Sequence, residues 1–363
     1  MRTWCGPIGL AIMVLAFGLS SLARSIGHLI ATQGVLSALG SGLLFAPTTL
    51  YLDEWFVKRK GLAYGVMWAG KSIAGVVLPF AADLSLRKFG HRNTLLAWTV
   101  LVFILTAPVL AFLKPRVPIS PRLSVTAARP LNMEFLRMKT FWMLQIGKRH
   151  FLSSPVLFHC FLTIVRCCTN LSHLGNILQS LGYFLPTAYL PSYVVRLGFE
   201  PTVGTILLAV NNTTSVFGGI VIGMLADRFQ VTSVILFSTV GSAIAVFLFW
   251  GLSSQIPLLV FFASFYGFFA GSFSSTWSGI LTELKREAPT LDTGFVFGVL
   301  AGGRGIGNAI SGPLAVALIT NKGWIADGRQ WGYSTEYGPL IIFTGATAVL
   351  GGWGWMWRCA CAR

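Results

Sequence analysis

Ten stretches of about 20 mostly apolar residues run along this chain, separated by short charged or proline-bearing connections. That length is what a helix needs to cross the hydrocarbon core of a bilayer. The stretches fall at 6–23, 28–52, 61–83, 94–113, 176–195, 203–225, 231–252, 257–280, 293–320 and 337–357. They predict an all-α integral membrane protein. Composition agrees: 54% of residues are hydrophobic and 10% charged, whereas soluble domains carry about 25% charged residues. So few charges cannot cover a water-facing surface. The first stretch is followed at once by further spans and lacks a small-residue cleavage site, so it reads as a membrane helix and not as a signal peptide.

In a soluble chain 27 basic residues against 11 acidic would suggest nucleic acid. Here no polar domain carries a basic stripe interleaved with aromatics, and the bases gather in connections between apolar stretches, as the positive-inside rule expects of cytoplasmic loops. The segment 114–140 holds four prolines and Lys114, Arg116, Arg122, Arg129, Arg137 and Lys139 against the single acid Glu134. Placing it in the cytoplasm also puts Lys58-Arg59-Lys60, Asp227-Arg228, Lys285-Arg286 and both termini there. The basic run 87–92 then falls outside. The expected organisation is a partial N-terminal bundle of four spans over 1–113, a basic loop with an insert over 114–175, and a six-helix bundle over 176–363. The six cysteines form no disulfide framework and show no zinc spacing. Cys359 and Cys361 could carry a palmitoyl group or remain plain thiols beside a membrane.

Many of the 40 glycines sit inside spans four residues apart, as Gly61 with Gly65, Gly219 with Gly223, Gly267 with Gly271 and Gly298 with Gly302. Such spacing lets helix backbones approach closely. Two apolar halves joined by a long basic loop outline a two-bundle transporter whose halves rock about a central site.

The run 51–70, YLDEWFVKRKGLAYGVMWAG, resembles the entry to the fifth helix of the monocarboxylate porter family of the major facilitator superfamily, through Phe56, Lys58, Arg59, Leu62, Ala63, Gly65, Ala69 and Gly70. The run 33–40 is similar to the fourth helix of fungal members, and 223–229, GMLADRF, to the superfamily's loop between helices eight and nine. The resemblance implies a two-bundle fold in which the ten stretches match helices three to twelve, so an N-terminal truncation is expected. It also implies alternating-access transport of a monocarboxylate or other organic anion, with a proton as candidate co-substrate. The stretch 209–215 lacks the Asp and Arg pair that many members carry in helix eight. Removing 148–175 would join Gly147 to Asn176 in one continuous span, and the ends of that segment can be encoded with intron signals. It reads as translated intron, or else as a genuine extra segment.

Ionisable groups inside spans are costly and mark sites by default. Arg304, in AGGRGIGN with no acid nearby, can hold a carboxylate in two parallel bonds, or else bonds backbone carbonyls of its neighbours. Lys71 is the second candidate. Tyr183, Asn211 and Asn212 could complete a substrate pocket, as could Asn176, Gln179 and Tyr189, although such residues also serve as interhelical hydrogen-bond groups. Asp227 and Arg228, with Lys58 and Arg59, are the expected gating residues at helix ends. Asp83 reads as an interfacial charge. The histidines have no metal-binding helical spacing, and neither a nucleophile elbow nor a phosphate loop occurs, so the chain is not expected to be an enzyme or to carry a cofactor. Its expected partners are a small-molecule substrate and lipid, with the plasma membrane, or else a vacuolar or other organelle membrane, as its location. The other reading is a non-transporting relic or membrane sensor of the same fold.

Overall fold

The computed structural model describes residues 2–113, 116, 174–287, 293–320 and 331–352. The rest of the 114–140 loop, the segment 148–173 and the tail with Cys359 and Cys361 lie outside the described residues. Among the described residues every regular element is a helix. We label them α1 (Arg2–Ser20), α2 (Ile26–Trp55), α3 (Lys60–Phe112), α4 (Leu174–Arg196), α5 (Pro201–Arg228), α6 (Val231–Trp250), α7 (Ile256–Arg286), α8 (Thr293–Ile319) and α9 (Gly338–Gly351). Helices dominate because lipid offers no partner for a backbone amide or carbonyl, and a helix satisfies both within itself. Hydroxyls follow the same logic by donating to carbonyls of their own helix, as Ser20 does to Ala16 at 2.7 Å and Ser242 to Ser238 at 2.7 Å. The outer surface is apolar, with Phe112, Leu105 and Phe217 among many exposed large side chains. α2, α3, α5, α6 and α7 are each long and apolar enough to cross a membrane.

The stretches 61–83 and 94–113 are two helices within α3 that meet at Gly90, whose φ of 72° lies in the left-handed region open to glycine. The stretch 257–280 is not continuous: α7 leaves α-geometry after Phe269, passes through a 3₁₀ turn at Phe273–Thr276 and resumes at Trp277. Carbonyls freed by this break find hydroxyls, since Ser238 Oγ donates to Phe269 O at 2.7 Å and Ser272 Oγ to Phe268 O. π-helical turns at Ile30–Leu36 and Ala245–Trp250 widen α2 and α6.

The chain divides into two compact units, 1–58 with 77–130 and 59–76 with 131–363, so the first turns of α3 belong with the second unit. In the first unit α1 packs on α2, where a Cβ on Gly9 would stand 2.9 Å from Gly40 O and Ser20 Oγ reaches Thr32 Oγ1 at 2.9 Å. In the second unit α4 packs on α8 and α9, and α5 on α7, around a core containing Tyr193, Trp250, Leu259, Phe262 and Leu340.

Three of the four glycine pairs lie at close crossings. A Cβ on Gly61 would strike Gly223 O, one on Gly65 would strike Gly219 O, and those on Gly267 and Gly271 would strike Asn211 O and Ser215 Oγ. Ser215 Oγ also donates to Gly267 O at 2.9 Å across the α5–α7 contact. The pair Gly298 and Gly302 corrects the expectation: nothing lies within 4 Å of a Cβ at either. The four-residue spacing puts two glycines on one face, but only the helix's rotation decides whether that face meets a neighbour.

Candidate functional site

Asn176, Gln179 and Tyr183 recur at intervals of three and four, so they share one stripe of α4. The stripe lies against α8. Asn176 Nδ2 donates to Leu300 O at 2.7 Å, and one turn further along Arg304 Nη1 donates to Gln179 Oε1 at 2.9 Å. The close approach is set at Gly307, where a Cβ would meet Ser180 Oγ and Ile177 O. Arg304 is only 9% exposed. Its guanidinium carbon stands 4.3 Å from the centre of the Tyr183 ring, a cation–π contact. Among the described residues no carboxylate pairs with it. A guanidinium has five N–H donors, so one neutral amide and one ring face leave donors of this buried cation available.

Tyr183 is itself buried and held from behind, for the Tyr266 hydroxyl donates to its backbone carbonyl at 2.9 Å and the two rings stack 6.5 Å apart. Its hydroxyl lies within electrostatic reach of both Arg304 and Lys71. Lys71 is exposed, with its ammonium 5.4 Å from the centre of the Trp68 ring. Trp68 meets Trp277 edge-on, and Trp277 meets Phe297. Aromatic faces thus flank both cations. Gln179 and Tyr183 also line a small cavity with Ser238, Thr239, Ser242, Tyr266 and Phe273.

The remaining expected site residues fall elsewhere. Asn212 Nδ2 donates to Gly75 O at 3.2 Å and Leu208 O at 3.1 Å, tying α5 to the first arm of α3. Asn211 is buried where α5 meets Gly267 of α7. Asp227 reaches the N-terminus of α3, where its Oδ1 accepts from Gly61 N at 2.6 Å and its Oδ2 from Leu62 N at 2.9 Å. Those are amides that a helix start leaves without internal partners, and a carboxylate also complements the positive end of the helix. Lys58, Arg59 and Arg228 are exposed, and Asp83 bonds Arg87 Nε at 3.0 Å at an exposed position. Among the described residues no group of three or more His, Cys, Asp or Glu side chains could hold a metal ion.

The family model described as Major Facilitator Superfamily matches residues 172–358, which include all of this α4–α8 site except Trp68 and Lys71. The chain belongs to the Major Facilitator Superfamily. Relatives of full-chain extent agree. The MFS-type transporter 1 of Ophiocordyceps sp. (strain BCC 1869) is 26% identical over 348 residues, covering 95% of this chain and 69% of the relative. The Aspyridones efflux protein apdF of Emericella nidulans is 24% identical, covering 94% of this chain and 60% of the relative. The solved structure of the proton:xylose symporter XylE aligns with a TM-score of 0.63 at 14% identity, over 98% of this chain and 80% of that one. At that identity the likeness shows the fold. Membership makes this an integral multi-pass membrane protein and a secondary transporter of small molecules, not an enzyme.

Proposed function

We propose that this superfamily member moves a small organic anion, a monocarboxylate or another carboxylate, by alternating access. Arg304 binds the anion and Lys71 assists, with the Tyr183 hydroxyl within electrostatic reach of both. The observation that carries this reading is Arg304 itself, a buried cation held by Gln179 Oε1 and the Tyr183 ring with no carboxylate partner among the described residues. An uncompensated buried charge is expensive, and an anionic ligand removes that cost when it binds. Asn211 and Asn212 serve helix packing in this reading, and Asp227 with Arg228, Lys58 and Arg59 controls a gate at the cytoplasmic side. Outward transport fits the efflux named for the Emericella relative, and the plasma membrane is the location in this reading. No charged pair stands in 209–215 to couple a proton.

Thermal stabilisation of the purified chain by organic carboxylates tests this. Breaking a desolvated charge pair costs about 3–5 kcal/mol, so Arg304→Ala should weaken carboxylate binding by about two orders of magnitude or more. Arg304→Lys should recover part of it, because one ammonium cannot copy the guanidinium fork. A folded Arg304→Ala protein with unchanged affinity would remove Arg304 from the site.

A further inference from the structure

Lys71 and Arg304 lie on different helices, yet both act on one group, the Tyr183 hydroxyl. Each is backed by a ring, Lys71 by Trp68 and Arg304 by Tyr183. Neither has a carboxylate partner among the described residues. Five helix segments of the second unit, 60–76, 174–196, 231–269, 293–319 and 338–351, contain no Asp or Glu, while Asp227 of α5 is engaged at the Gly61 and Leu62 amides and Glu283 lies past Trp277 in α7. Two like charges sharing one phenol repel each other, and more strongly as water is excluded. A bound monocarboxylate would neutralise the buried Arg304 and leave the exposed Lys71 ammonium to water alone. A ligand with two acidic oxygens neutralises both, with the phenol free to donate to either.

We propose that the site selects a compact organic dianion, one acidic oxygen on Arg304 and the other on Lys71, with a planar unsaturated or aromatic body against the Trp68 and Tyr183 rings. This rests on the organic-anion reading and narrows it. A guanidinium takes a carboxylate in two parallel bonds, while an ammonium acts as a point charge that tolerates many geometries. Arg304 therefore orients the ligand, and Lys71 counts its charge.

The test uses the full chain in lipid nanodiscs, with matched probes of equal skeleton: benzoate against isophthalate, and butyrate against glutarate, read by thermal shift and calorimetry. The expected result is at least tenfold tighter binding of each dianion by the wild type. That ratio should fall below threefold in Lys71→Met and be largely restored in Lys71→Arg, with size-exclusion profiles showing all three proteins folded. Equal binding within each pair that still depends on Arg304 would overturn the two-oxygen site and leave the organic-anion reading standing. A dianion preference that survives in folded Lys71→Met would also overturn it. If none of the four probes binds, the organic-anion reading fails and this inference falls with it.

Discussion

Gln179 shows what a single residue contributes here. Its amide oxygen is the acceptor that holds Arg304, and the amide carries no charge that would compete with a ligand. Gln179→Glu should therefore act in opposite directions on two measurements. A carboxylate in that place would pair with the guanidinium, so thermal stability should hold or rise while affinity for organic carboxylates falls tenfold or more. Loss of stability with unchanged affinity would mean that Arg304 serves packing alone. Arg304 and Lys71 were legible in the sequence because an ionisable group in the middle of an apolar stretch announces itself. The Gln179–Arg304 bond was not, since its partners are 125 positions apart and only the relative rotation of two helices brings them together. Asp227 is a similar case. Its Gly-x-x-x-Asp-Arg setting marked a helix-end role, but nothing in the sequence named the amides of Gly61 and Leu62 as its partners.

At the scale of elements, hydropathy located helices well and their interruptions poorly. The ends of α5 and of α8 fall within a few residues of the apolar stretches. The break in α7 was missed because 270–276, AGSFSST, is small and hydroxyl-rich but remains apolar enough to sit inside a span. The glycines gave half an answer, because spacing defines a face and only packing uses it. Gly223→Leu should therefore disrupt the crossing at Gly61, whereas Gly302→Ala, with open space around the added Cβ, should be nearly silent or slightly stabilising. Asp227→Ala, which strips two amides of their cap, should cost on the order of 1 kcal/mol. Thermal melts of the three variants in one detergent check the ranking. Equal melting temperatures for Gly223→Leu and wild type would contradict the crossing.

For the whole molecule, superfamily membership supplies the class of activity, and the chemistry of the second unit supplies the reading of its substrate. The segments 60–76, 174–196, 231–269, 293–319 and 338–351 carry Arg304 and Lys71 but no Asp or Glu, which sets this interior apart from a generic apolar bundle, and in the proposed reading an organic anion fills that imbalance on its way across the membrane. The most direct measurement is uptake of labelled benzoate and isophthalate into proteoliposomes containing the reconstituted chain, run beside folded Arg304→Ala. Uptake by the wild type should be saturable and fall to the level of empty liposomes in Arg304→Ala. Equal, saturable uptake by both proteins would contradict an anion site at Arg304.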